Sequence, residues 1–312
     1  GLCLLTAFAP TLELLVTGRA ALGAAAAGII PLSLAWIDDQ MAYEARQETL
    51  ANLMVATISS LMFGQWFGGF AIEHFGWRPA FTVLGALFLV AALPLQLRLR
   101  RRPGADVDRA TGPSGFVAQG LHLLRLPRVR WVLALVAVEG ALAFGALAFM
   151  PTRLVQGLHL SATAAGTVMM LYGLGGLLYS RFARWWLGRF GEQGLARLGG
   201  TLTGLGLLGL ALVDIPAFGV GACLMSGLGF YMLHNTMQTQ ATQMAPHARG
   251  TAVTLFACCL FLGQSLGVPV VGWWVDRGGL EPAMAACGAG ILLLGAAVAR
   301  RVRARPEQVR GD

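Results

Sequence analysis

Uncharged apolar runs recur along this chain, at residues 20–37, 49–72, 79–97, 161–180, 251–275 and 282–299. Each is close to the ~20 residues that an α-helix needs to cross the hydrocarbon of a bilayer. Within lipid every backbone N–H and C=O must find its partner inside the segment, and a helix does this without an edge. The rest of the chain agrees, because 56% of its 312 residues are hydrophobic and only 12% are charged, where a soluble domain keeps about a quarter charged. The expected fold class is therefore all-α, a polytopic membrane protein. Glycine, proline and charge punctuation place spans near 13–37, 49–72, 79–97, 131–150, 160–180, 198–213, 217–243, 251–275 and 282–299, with residues 1–9 as the tail of another. The 42 glycines fit this class, since helices in lipid pack closely through small residues.

Spans that alternate in direction assign each loop to one of two faces. All 23 basic residues are arginine, and 19 of them fall on one face: Arg46, Arg98, Arg100, Arg101, Arg102, Arg109, Arg125, Arg128, Arg130, Arg181, Arg184, Arg189, Arg197, Arg249, Arg300, Arg301, Arg303, Arg305 and Arg310. The other face has Arg78, Arg153 and Arg277, and Arg19 lies within a span. The positive-inside rule makes the first face cytoplasmic. Topology thus accounts for the net charge of +8, and no nucleic-acid partner is expected. Residues 98–130 read as a cytoplasmic linker whose arginines anchor on lipid, and residues 300–312 as a basic cytoplasmic tail.

The frame Gly-Gln-x-x-Gly occurs twice, as GQWFG at 64–68 and GQSLG at 263–267. The segments that follow also correspond, since RPAF at 78–81 and EPAM at 281–284 each open the next span with Pro near its first turn, where a missing N–H is harmless. Six spans follow the linker, while three and a fragment precede it. Two six-helix repeats are expected, with the first two helices and part of the third lying before Gly1. On that plan residues 1–97 are the remainder of the amino-terminal half and 131–299 the carboxy-terminal half.

At these residues the chain resembles the major facilitator superfamily, and within it the proton-coupled exporters of sugars and drugs. TGRAALGAAAAG at 17–28 is similar to the family's fourth helix, in which an Arg is followed four residues later by Gly; Arg19 and Gly23 take those places. The fifth helix of family antiporters carries Gly-Pro-x-x-Gly-Gly, and here Gly64, Gly68 and Gly69 match while Gln65 replaces the Pro. The stretch YSRFARWWLGRFGEQGLARLGG at 179–200 stands where the family has an Asp-containing cytoplasmic motif, of which it keeps only Gly and Arg positions. The resemblance implies a bundle of two six-helix halves, alternating access, and a role for Arg19 in proton coupling.

Charge deep in a span costs roughly 2–3 kcal/mol, so each such residue needs a partner or a task. Arg19 and Glu139 are the two found. Glu139, in a span read as starting near Trp131, lies about 12 Å inside it at 1.5 Å per residue and is a candidate for proton coupling. His234 sits at similar depth on a span with a polar face, Tyr231, His234 and Gln238 being at i, i+3 and i+7 beside Asn235. These four are the candidate solute-binding residues. Gly64, Gly68, Gly69, Gly263 and Gly267 are expected to pack helices, with Gln65 and Gln264 as interhelical hydrogen bonders.

The five cysteines lie in apolar runs with neither C-x-x-C spacing nor a neighbouring His, so neither a metal site, a disulfide framework nor a cofactor is expected. No H-E-x-x-H or G-x-S-x-G motif occurs. The expected function is secondary active transport, proton-coupled efflux of a sugar-like or amphipathic small molecule across a bacterial inner membrane, by a monomer whose partners are solute, protons and lipid. Alternatives are a sensor that keeps the carrier fold without transport and a membrane enzyme using Glu139 and His234 as acid and base.

Overall fold

The structure is a computed structural model that describes residues 1–29, 33, 36, 37, 43–100 and 113–302. Arg101, Arg102, Arg109, Arg303, Arg305 and Arg310, with part of the expected linker and most of the tail, lie outside the described residues. The chain divides into two compact units, Gly1–Asp108 with Ser161–Thr167, and Arg109–Leu160 with Val168–Asp312.

The first unit contains α1 (Leu2–Ala7), α2 (Leu12–Ala26), α3 (Tyr43–His74) and α4 (Trp77–Arg100). Thr11 caps α2 by accepting from the Leu14 N–H at 3.3 Å. α4 packs on α1 at a glycine, for a Cβ on Gly85 would lie 2.7 Å from the Leu4 side chain. Gly76, at φ 81°, turns the chain from α3 into α4.

The second unit contains α5 (Pro113–Leu124), α6 (Pro127–Thr152), the bulk of α7 (Ala162–Leu212), α8 (Pro216–Met244), α9 (Arg249–Gly278) and α10 (Leu280–Arg301). Pro127 and Pro216 open α6 and α8 at positions where no N–H is needed. Gly279, at φ 93°, turns α9 into α10 just as Gly76 turns α3 into α4. Each of these glycines is followed three residues later by a proline, Pro79 and Pro282. A left-handed glycine and a donor-free third helical residue thus start two corresponding helices by the same local code.

α7 spans 51 residues, about 77 Å of helix where a bilayer core takes about 30 Å. It is broken at Phe182 (φ −113°, ψ 17°) and Gly191 (φ 63°, ψ 175°), which separates the two spans expected at 160–180 and 198–213. By length and composition, seven helices among the described residues can cross a membrane, counting α7 as one. Two expectations are revised. α6 begins a full turn before Trp131, because Pro127 with the Leu126 backbone already forms a helix start. The polar linker also holds α5, which buries Leu123 and docks on α9 through the Thr251 hydroxyl, which donates to Gln119 Oε1.

α6 and α9 pack backbone against backbone. A Cβ on Gly263 would overlap the Ala137 backbone, one on Gly267 the Ala141 backbone, and one on Gly140 the Leu260 carbonyl. α7 meets α10 in the same way, with Gly200 and Gly295 backbone to backbone. Such contacts bring the peptide dipoles and Cα–H groups of both helices together, which is how helices associate where burial of apolar area supplies no drive.

Candidate functional site

Glu139 enters the second unit from α6. With α6 starting at Pro127, its Cα lies about 18 Å along the helix, deeper than the sequence reading placed it. The residue is fully buried, and its Oε2 lies 3.0 Å from Nδ1 of His234 on α8. Oε1 has no hydrogen-bond partner among the described residues. A buried carboxylate oxygen without a partner is costly in a low-dielectric interior. A proton between Oε2 and Nδ1 makes that contact a hydrogen bond and leaves Oε1 without a partner.

The imidazole has two aromatic neighbours. Its ring stacks on Phe230 one turn earlier, with centroids 5.4 Å apart and planes 13° from parallel, and meets Phe256 of α9 at 5.5 Å. Phe230 in turn touches Phe144 of α6 at 5.7 Å, Tyr172 of α7 at 6.0 Å and Tyr231 at 5.4 Å. Glycines make this crowding possible. A Cβ on Gly176 would run into the Tyr231 ring, and one on Gly227 would overlap the Tyr172 carbonyl. His234 nevertheless keeps 17% of its side chain exposed. Tyr231, Asn235 and Gln238 are likewise half-buried, so one polar face of α8 stays open while Phe230, Met237 and Gln240 are buried behind it.

The other sequence candidates lie elsewhere. Arg19 is exposed in the first unit, with its guanidinium 5.4 Å from the Phe81 ring centroid. Among the described residues it has no carboxylate partner, and the aromatic face beside it offers the guanidinium a cation–π contact. Gly64 and Gly68 meet nothing within 4 Å among the described residues, whereas Gly69 lies against the Ala162 carbonyl. Close packing in this frame therefore falls to Gly69 alone, unlike that of Gly263 and Gly267. Neither the Gln65 nor the Gln264 side chain makes a hydrogen bond among the described residues. Their carbonyl and amide atoms flank the Gly166 and Gly140 contacts instead. No three His, Cys, Asp or Glu side chains converge on a metal-sized point among the described residues.

Two polar networks escaped the sequence reading. Arg153, counted there as a loop residue, is 2% exposed. Its Nε donates to the Leu210 carbonyl at 3.0 Å and its Nη2 to that of Ala211 at 3.3 Å; it pairs with Asp214 and reaches Glu281 Oε1 at 3.4 Å. At the opposite end Gln240 joins α6 to α7, accepting from Arg128 at 3.4 Å and donating to Glu192 at 2.7 Å. The available signal was that Asp214 and Glu281 are acids at the ends of spans on the face that carries Arg153.

The sequence profile of the Major Facilitator Superfamily matches residues 1–268. The chain belongs to this superfamily. Among its relatives, the uncharacterized MFS-type transporter YceJ of Bacillus subtilis is 25% identical over 279 residues, 86% of this chain and 68% of that protein. The multidrug efflux pump LfrA of Mycolicibacterium smegmatis is 33% identical over 149 residues, 46% of this chain and 28% of LfrA. The purine ribonucleoside efflux pump NepI of Salmonella typhimurium is 22% identical over 97% of this chain and 75% of its own. A bacterial homologue of the human lysosomal transporter Spinster, solved inward-facing and unoccupied, superposes with a TM-score of 0.69 at 18% identity, covering 96% of this chain and 80% of that one. The superfamily membership and the long apolar helices make the chain a multi-pass membrane protein of the transporter class.

Proposed function

We propose that the chain works in a proton-coupled secondary transporter that exports a small molecule by alternating access, with Glu139 and His234 as its proton site and the open face of α8 as part of its solute site. The observation that carries this reading is the buried Glu139–His234 pair with its unpartnered Oε1. Because His234 is part of an open polar face, a solute resting on Tyr231, Asn235 and Gln238 changes the solvation of the imidazole and hence the proton affinity of the pair. Coupling of that kind is reciprocal, so the proton also changes solute affinity. The efflux-pump relatives LfrA and NepI support export as the direction.

The solute expected is sugar-like or amphipathic, since the α8 face offers amide, phenol and imidazole but no fixed charge. By the positive-inside rule the arginine-rich end of the second unit, with the linker 98–130 and the tail 300–312, faces the cytoplasm of a bacterial inner membrane. Residues 1–97 and 131–299 then serve as the two halves that rock. In this scheme Arg19, by the family resemblance, also takes part in proton coupling, and the protein acts as a carrier with no cofactor.

The test is flux against pH in vesicles, with and without an imposed proton gradient, using the full transporter that contains this chain. Glu139→Gln keeps the shape of the side chain and removes its titration. Gradient-driven flux is expected to vanish while energy-independent exchange of solute persists. An unchanged gradient-driven rate would make Glu139 a packing residue. A carrier-fold sensor would show neither flux, and an enzyme would release an altered solute.

A further inference from the structure

Between its two membrane-crossing parts α7 is interrupted at two points within residues 181–191, RFARWWLGRFG. Phe182 and Gly191 carry the breaks at either end. The short run between them has a surface unlike that of a water-facing connection. Phe182, Trp185, Leu187 and Phe190 are exposed, Trp185 to 58%. Arg181, Arg184 and Arg189 are exposed among them.

Trp186 turns the other way and packs against the buried cluster of Tyr179, Leu195 and Met232. It holds its neighbours in place, with Trp185 edge-on at 4.7 Å and Phe190 stacked at 5.8 Å. Arg181 lies 5.6 Å from the Phe182 ring centroid. The segment contains no carboxylate. The next acid, Glu192, is engaged by Gln240, so the three guanidinium charges are not neutralised from within their own element or from α8.

In water four such apolar side chains side by side would be a liability. At the end of a span they suit the layer where acyl chains meet headgroups, because indole and phenyl rings settle there and arginines reach for phosphate. α5 repeats the pattern within the same unit, exposing Leu121 and Leu124 beside His122 and Arg125 while Leu123 is buried. Unopposed positive charge next to exposed rings selects headgroups with a net negative charge, each basic residue near such a surface strengthening the attraction about five-fold.

We propose that residues 181–191 are a docking surface for anionic phospholipid, with Phe182, Trp185 and Phe190 in the acyl–headgroup boundary and Arg184 and Arg189 on phosphate oxygens. The surface is separate from the Glu139–His234 pair, and its test does not depend on transport. The full chain is placed in nanodiscs of phosphatidylcholine with phosphatidylglycerol as a minority lipid, and acyl bromines are carried by one lipid or by the other. The signal of Trp185 is the difference in quenching between the chain and Trp185→Phe.

Quenching per bromine is expected to be at least about two-fold greater from phosphatidylglycerol than from phosphatidylcholine. Arg184→Gln with Arg189→Gln should make the two lipids equal, and Arg184→Lys with Arg189→Lys should keep the preference, since phosphate attraction needs only the charge. Equal quenching by both lipids in the parent chain would reduce the surface to ordinary lipid contact and overturn the proposal. Absence of quenching by either would assign the patch to a protein partner. Loss of the preference in the lysine pair would remove charge as its cause.

Discussion

Arg153→Ala should be among the most destabilising single changes in the second unit. The guanidinium donates to the carbonyls of Leu210 and Ala211, which are among the last four of α7 and have no partner within their own helix. Both residues are buried, at 0% and 1% exposure, so truncation leaves two carbonyls unpaired in a dry place, at about 1–3 kcal/mol each. It also removes a positive charge from the negative end of a helix. The ion pairs add little, because Asp214 and Glu281 keep 77% and 48% of their side chains exposed and such pairs are worth about 0–1 kcal/mol. The sum is near 4 kcal/mol, or a fall of roughly 10 °C in the unfolding temperature of a chain this size. Cys223 and Cys287 are buried in the same unit, so the rise in fluorescence of a thiol-reactive dye on heating the purified protein reports the melt. Asp214→Asn and Glu281→Gln should each shift it by no more than about 1 kcal/mol. If Arg153→Ala melts within that same margin of the parent, the guanidinium does not hold the ends of these helices, and the reasoning from unpaired carbonyls is wrong.

Gly263→Leu and Gly267→Leu should each lower the same melting temperature by an amount equivalent to about 2 kcal/mol or more, since their side chains would enter the α6 backbone. Gly64→Ala and Gly68→Ala, which meet nothing within 4 Å among the described residues, should leave it unchanged; equal sensitivity of all four would refute the assignment of packing to the second frame. His234→Asn should weaken solute binding or shift its pH dependence with a smaller loss of coupling than Glu139→Gln, measured as binding and flux over a pH series. Single cysteines at Ala118 and Gln156 in a cysteine-free background should be modified from opposite sides of the membrane, and labelling of both from one side in intact cells would contradict the crossing of α6 between them.

What the sequence determined alone is local. Spans follow from runs of uncharged apolar residues, because a helix in lipid satisfies its own backbone. The starts of α4 and α10 follow from a glycine able to take positive φ and a proline three residues on. α5 and the true start of α6 were missed because arginines and prolines nearby made the whole of 98–130 read as one polar segment, and the apolar face of a short interfacial helix is too brief to stand out against it. The relative level of Glu139 and His234 was legible too, from counting residues along two helices, although the depth of Glu139 was set too shallow by the late start given to α6. Their contact was not legible, because it depends on the rotation of α6 and α8 about their own axes, and that is decided by which glycines let which backbones approach. The same limit explains the two Gly-Gln-x-x-Gly frames, whose letters agree while Gly263 and Gly267 meet α6 and Gly64 and Gly68 meet no described neighbour. It explains Arg153 as well, since an arginine at the end of a span is exposed or buried according to where other helix ends arrive. Those helix ends are remote in sequence, and only packing brings the carbonyls of Leu210 and Ala211 to the guanidinium.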